Sequence, residues 1–220
     1  MQKTDLTCRE LFGWGKGFSA ELLETCEFPW EALERLGEFV SKLGKRLLET
    51  EGWKELSEGV VVSEKARISP MATIVGPAVI CSGAEIRPGA YIRGKVIVEE
   101  DCVVGNSTEL KNSILMTGAK LPHYNYAGDS IIGEKAHMGA GAVASNFKLD
   151  GSSVRILGIE TGRRKLGTLL GACAEVGCHC VLNPGTVIGK NTSVYPGTVV
   201  RGVIAKNMIV KTMDEVIPKQ

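Results

Sequence analysis

Aromatic residues make up only 5% of the 220-residue chain, and there are three histidines, so any stacking or imidazole chemistry rests on very few side chains. Net charge is also nearly missing: 26 Lys and Arg stand against 25 Asp and Glu, a formal +1. Bulk attraction to nucleic acid or an acidic membrane needs a basic face that releases counterions, so both partners are excluded and any anion site must be local. No apolar run approaches the roughly 18 residues of a membrane helix, and the first ten residues carry charge where a secretory segment needs an apolar core. A cytoplasmic location is expected. Seven cysteines, an odd number and scattered, fit reduced thiols better than a disulfide framework. Cys178-His179-Cys180 invites a metal, but adjacent residues of a strand point to opposite faces, so the triplet cannot close on one ion and no metal is expected.

A six-residue period is what the chain has in abundance. Val62, Ile68, Ile74, Ile80, Ile86, Ile92, Val98, Val104, Leu110 and Met116 follow one another at intervals of six. Small residues recur four positions later, as at Ala66, Ala72, Ala78, Ala84, Ala90, Cys102 and Thr108. The register returns at Ile132 and Met138, and again from Leu170 through Val176, Leu182, Ile188 and Val194 to Val200. A period of six is neither the 3.6 of a helix nor simple alternation; it fits a short strand and a corner repeated around a prism, three hexads to a coil. The fold class expected is an all-β solenoid, a parallel β-helix of hexapeptide repeats. Glycines at or before the corners, among them Gly83, Gly89, Gly105, Gly139 and Gly197, are expected to supply the turn dihedrals.

Residues 59–205 form this solenoid, with interruptions near 117–131 and 145–169 expected to be surface loops that carry binding chemistry. Residues 1–58 read as helical: Pro29 suits a first helical position and is followed by an apolar stripe at Trp30, Leu33, Leu36, Val40, Leu43 and Leu47, while Ser19 is a candidate cap for a shorter helix. This segment is expected to cover the open end of the prism. Residues 206–220 read as a C-terminal tail.

Three sets of residues could carry chemistry. His123 lies in a polar, aromatic stretch from Lys120 to Asp129 and can act as a general base; a structural loop histidine is the alternative. Arg87 and Lys111 flank inward positions and so point outward, 24 residues apart, a pair suited to a phosphate or to a solvated surface. Arg155, Arg163, Arg164 and Lys165 make the second interruption basic, which suits nucleotide phosphates or simple solubility.

From Arg87-Pro88-Gly89-Ala90 through Val104-Gly105-Asn106, Lys111, His123, Tyr126, Gly128-Asp129 and Ile132-Gly133 to Gly139-Ala140-Gly141 and Asn146, the sequence resembles a known family. It is similar to the acetyltransferase half of the bifunctional N-acetylglucosamine-1-phosphate uridyltransferase/glucosamine-1-phosphate acetyltransferases, and to related β-helical domains of sugar-phosphate nucleotidyltransferases. The resemblance implies a left-handed helix and transfer of an acetyl group from acetyl-CoA to an amino-sugar phosphate. It also implies His123 as base, Arg87 and Lys111 on the phosphate, Tyr126, Asn146 and Lys165 in the acceptor pocket, Ala140 and Cys178 beside acetyl-CoA, and a homotrimer that shares each site. The chain departs from the family in three ways: Asn146-Phe147-Lys148-Leu149-Asp150-Gly151 replaces an Asn-Tyr-Asp-Gly turn, Cys178 replaces a serine, and no glycine-rich nucleotide loop represents the uridyltransferase half. A non-catalytic trimeric sugar-phosphate-binding or regulatory module, and O-acyl transfer, remain the alternatives.

Overall fold

The computed structural model describes residues 3–219 except Trp14 and the side chain of Thr4. It is a left-handed parallel β-helix of about eight turns, preceded by three short or medium α-helices. Each turn contributes one short strand to each of three faces. The first face runs through Val60–Ser63, Ala78–Ile80, Val96–Val98, Ser113–Leu115, Ile131–Ile132, Thr168–Leu170, Thr186–Ile188 and Val203–Ile204. The second begins at Arg67–Ile68 and Glu85–Ile86, and the third at Thr73–Val75 and Tyr91–Arg93.

The inward aliphatic residues form one continuous core, with Ile80, Ile92, Val104, Leu110, Ile132 and Leu182 fully buried. At the narrow corners the small polar residues satisfy the backbone that turns around them: the buried Thr108 hydroxyl donates to the Leu121 carbonyl at 3.1 Å and Thr192 to that of Ala205 at 2.7 Å. Glycine has two separate uses. Gly141 has a φ of 72°, in the left-handed region. Gly105 does not; a Cβ there would lie 1.5 Å from the Pro122 carbonyl oxygen of the next coil, so close coil stacking is what demands it. Several corners instead carry Lys, Asp, Ser or Asn at positive φ, including Lys95, Ser107, Asn112 and Asp129.

Two sequence expectations about the coils change. The stretch 117–131 is not a loop: Lys120–His123 and Tyr126–Gly128 are regular strands of the second and third faces. The register slips because two successive coils are each a residue short: Leu115 rather than Met116 turns inward, 17 residues after Val98, and Ile132 follows 17 after Leu115. Met116 points outward into a second apolar cluster. The second interruption is a true insertion, but it spans 145–167, since Thr168–Leu170 is already a strand of the first face and Ile132 stacks directly on Leu170.

The N-terminal segment lies along the first face rather than over the end. Helices α1 (Cys8–Phe12), α2 (Ala20–Leu23) and α3 (Pro29–Leu48) pack against the outward side chains Val61, Val79, Ile97, Ile114, Ile131, Leu169 and Val187. All six stripe residues of α3 are buried, and its start is closed by the Glu31 carboxylate, which accepts from the Glu27 and Phe28 amides at 2.9 and 3.3 Å. Ser19 flanks α2 without a side-chain cap; its amide donates to buried Glu99 at 2.9 Å, and Glu99 also accepts from the Thr117 amide at 2.9 Å. The ends of the prism are closed by antiparallel strands. Trp53–Ser57 pairs with the first coil, and the expected tail continues the second face as Met208–Thr212 and folds back as Glu215–Pro218. Among the described residues no helix is long and apolar enough to cross a membrane.

Candidate functional site

Stacking places His123, Ala140 and Cys178 at one corner. Asn106 pairs with His123, the Gly141 amide donates to the His123 carbonyl at 3.0 Å, and the His179 amide donates to that of Ala140 at 2.8 Å. The three residues therefore occupy equivalent positions on successive coils, between the second and third faces. The backbone amides of Ala140 and Cys178 donate to no acceptor among the described residues. Cys178 is exposed, whereas Cys180 is buried in the prism and donates to the Tyr195 carbonyl at 3.1 Å, so the two thiols lie on opposite sides of the wall.

His123 is exposed, and among the described residues its imidazole meets no hydrogen-bonding side chain. Its backbone is fixed from below by Asn125. That buried amide accepts from the His123 N–H at 3.2 Å and donates to the Gly139 and Ala142 carbonyls at 2.7 and 3.2 Å. Asn125 was not singled out by sequence; the signal was a large polar residue where the repeat asks for a small one.

The opposite corner, between the third and first faces, centres on Asp129. Asn112, Asp129 and Asn146 stack there on three consecutive coils, and both amides donate to the buried carboxylate, at 2.8 Å from Asn112 and 2.7 Å from Asn146. Lys111 lies 3.2 Å and Arg163 3.5 Å from the same group. Two unit charges and four donors converge on one carboxylate whose side chain is 3% exposed, which orients Lys111 and Asn146 as a unit. Asp129 was quoted in the motif and given no role.

Between the corners, Tyr126 covers the outer surface of the third face. A Cβ on Gly128 would lie 2.4 Å from its hydroxyl oxygen and 2.8 Å from the Asn146 amide nitrogen, so this glycine is what lets the two groups meet over the strand. Burial, with help from the charges of Glu109 and Asp129, raises the Tyr126 pKa above the ordinary phenol value and keeps its hydroxyl a donor.

Arg87 is not next to Lys111. It sits at the His123 corner, bonded through Nε to Glu85 at 2.9 Å, an interaction that holds the Glu85 carboxyl below its ordinary pKa. The cation beside Lys111 is Arg93: Ile92 pairs with Leu110, so the next residues, Arg93 and Lys111, stack one coil apart. Their spacing of 18, one full coil, was the available signal. Lys165 comes from the insertion, where it pairs with Phe147 and lies 6.0 Å over that ring, as does Arg164. A groove of about 560 Å³ gathers Arg93, Lys95, Lys111, Arg163, Arg164 and Lys165 between this corner and the Leu33–Glu34 turn of α3. A larger hollow of about 680 Å³ on the far side of the insertion is lined by Arg155 and by no other candidate residue named from the sequence.

Known proteins match this chain over much of the β-helix. Residues 74–159 match the family described as the GMPPB C-terminal domain. A bifunctional sugar-1-phosphate nucleotidylyltransferase/acetyltransferase of Sulfurisphaera tokodaii is 39% identical over 48% of this chain and 27% of its own. The bifunctional protein GlmU of Methanococcus maripaludis is 34% identical over 86% of this chain and 47% of its own. The chain is similar to part of these bifunctional proteins. It spans about half the length of these curated relatives or less. Among solved structures, the acetyltransferase domain of PglB from Neisseria gonorrhoeae with acetyl coenzyme A covers 73% of this chain and 57% of its own, at 19% identity and a TM-score of 0.32.

Proposed function

We propose that the protein is an acyltransferase that moves an acetyl group from acetyl-CoA to the amine of an amino-sugar phosphate such as glucosamine-1-phosphate. The observation that carries this reading is the division of labour on the third face: an exposed imidazole at one corner, a cluster of cations organised by a buried carboxylate at the other, and Tyr126 between them. A sequence relative whose name includes acetyltransferase supports the reaction class.

In this mechanism the amine nitrogen attacks the thioester carbonyl carbon. His123 takes the proton that the nitrogen loses, the C–S bond breaks, and CoA leaves as thiol or thiolate. An imidazole can accept a proton through one ring nitrogen, the capacity a general base needs here. The unused amides of Ala140 and Cys178, on the same corner as His123, fit a role as donors to the acyl donor's carbonyl groups. Lys111 and Arg93 hold the acceptor phosphate, with Asn146, Tyr126 and Lys165 lining the pocket. Arg87, paired with Glu85 at the other corner, has no place in that grip. The resemblance extends the reading to a homotrimer of side-by-side prisms in the cytoplasm.

The test is release of free CoA thiol at fixed acetyl-CoA across amino-sugar 1-phosphates, 6-phosphates and their unphosphorylated forms. Turnover of a phosphorylated amino sugar that is lost in His123→Ala supports the enzyme and its base. Silence across the panel, with binding of a sugar phosphate, would replace it by the non-catalytic module.

A further inference from the structure

The groove beside α3 carries more cations than one acceptor phosphate requires. Arg93 and Lys111 stack on the third face and are each committed to a carboxylate, Arg93 to Glu109 at 2.6 Å and Lys111 to Asp129 at 3.2 Å. Lys95, Arg164 and Lys165 line the same groove and, among the described residues, pair with no carboxylate. The three come from two different elements. Lys95 turns out from a left-handed corner at φ 55° and lays its alkyl stem against α3, where a Cβ on Gly37 would lie 3.1 Å from it. Arg164 is anchored by its Nε donating to the Gly151 carbonyl at 3.2 Å, and both Arg164 and Lys165 lie over Phe147. The positive charge is therefore spread along the groove instead of converging on one point.

A second, independent feature points to a ligand. The Asn112 side chain also lines the groove; its residue is 5% exposed, and its amide nitrogen is spent on Asp129. Its Oδ1 is buried and accepts no hydrogen bond. A buried carbonyl oxygen left without a donor is costly, so it calls for a hydroxyl or N–H from whatever occupies the groove. A bare inorganic anion offers no such donor at neutral pH beyond a single phosphate hydroxyl.

We propose that the acceptor is an amino sugar carried on a diphosphate, as in a nucleotide-linked sugar. Its first phosphate lies at Arg93 and Lys111, its second lies among Lys95, Arg164 and Lys165, and a ligand hydroxyl donates to Asn112 Oδ1. Two linked phosphates, each with one negative charge, match a spread of cations better than one doubly charged group does. The groove lies at the Asp129 corner, across the third face from the His123–Ala140–Cys178 column, which separates these cations from the donor's corner. The N-terminal helices thereby gain a role: α3 forms one wall of the groove. This inference rests on the acyltransferase reading and narrows its substrate.

The experiment compares kcat/KM for UDP-glucosamine and glucosamine-1-phosphate, the same amine on two phosphates or one, in the full chain and in Lys95→Ala, Arg164→Ala and Asn112→Ala, with the KM for acetyl-CoA measured alongside. The expected result is a preference of at least ten-fold for UDP-glucosamine, reduced at least ten-fold in Lys95→Ala and Arg164→Ala. Because Asn112→Ala can loosen the Asp129 corner, Lys95→Gln and Arg164→Gln provide surface variants whose folding is checked by circular dichroism. Equal or better turnover of glucosamine-1-phosphate overturns the inference and leaves the acyltransferase reading standing. So does an effect of the Lys95 and Arg164 variants on acetyl-CoA alone. Failure of both acceptors overturns the reading itself, and with it this inference.

Discussion

Replacing Asp129 by Asn keeps the shape of the side chain and removes its charge, which isolates what that carboxylate does. In the native protein it faces Lys111 at 3.2 Å, Arg163 at 3.5 Å, and the amides of Asn112 and Asn146 at 2.8 and 2.7 Å. An amide NH2 in place of one oxygen would point a donor at donors, and both cations would lose their partner. Removing one member of a buried ion pair costs about 3–5 kcal/mol. Here the cations are partly wet, their side chains 30% and 18% exposed, so solvent relieves part of that and about 2–3 kcal/mol is expected. With a urea m-value of roughly 2 kcal/mol/M, the midpoint of unfolding falls by about 1–1.5 M. Urea titration followed by circular dichroism measures it. A shift below about 0.3 M with unchanged slope would refute the reasoning, because it would mean that the four contacts are replaced by water at no cost.

His123→Ala should lower turnover by about 10²–10⁴-fold with an unfolding midpoint near wild type, since the side chain is exposed and makes no side-chain hydrogen bond; kinetics and thermal melting check the two halves. Gly128→Ala should raise the KM for the acceptor, because its methyl displaces the Tyr126 hydroxyl and the Asn146 amide; an unchanged KM would contradict their placement in the pocket. Leu36→Ala, in the middle of the buried stripe of α3, should cost about 2–5 kcal/mol in denaturant unfolding. Burial pushes the Cys102 thiol up to about 12, so at pH 8 a thiol-alkylating reagent should label exposed Cys173 and Cys178 long before it, with acetyl-CoA slowing Cys178 selectively; peptide mass mapping reads both effects. The Glu85 carboxyl, depressed chiefly by its hydrogen bond to Arg87, supports the fold above its ordinary pKa and loses that support as pH falls through its lowered folded value, so Glu85→Gln should flatten the acid limb of stability slightly.

Much of this architecture was legible in the repeat. Inward positions such as Ile80, Val104 and Leu182 follow from side-chain volume alone, because only a prism lined by aliphatic residues satisfies a period of six. The slips at Asn112 and Asp129 are not legible: a coil of 17 residues preserves strand, corner and hydrophobicity, and only the stacking of Val98 on Leu115 and of Leu115 on Ile132 distinguishes these coils from a loop. The covering of the first face was written in the sequence and went unread. Val60-Val61-Val62, Ala78-Val79-Ile80 and Val96-Ile97-Val98 are apolar on both sides, as a strand buried on both faces must be, whereas Tyr91-Ile92-Arg93 and Glu109-Leu110-Lys111 are apolar only inward.

The site divides in the same way. His123, Ala140 and Cys178 were named as separate residues, and coil stacking makes them one column. Lys111 and Asn146 were named without the carboxylate that joins them, since Asp129 reaches them across two coils and not along the chain. Arg87 is picked out by its motif, Arg-Pro-Gly-Ala, whereas Arg93, which the motif does not mark, is the arginine one coil from Lys111. Local motifs identify residues well, but the coil length decides which of them meet.

The most direct test of the account is to mix the protein with acetyl-CoA and a phosphorylated amino sugar and to identify the product by mass spectrometry and NMR, in wild type, His123→Ala and Asp129→Asn. The account predicts acetylation on the sugar nitrogen, abolished by the first substitution and weakened through acceptor KM by the second. Acetylation that survives His123→Ala at the wild-type rate, or that falls on a hydroxyl, would contradict it.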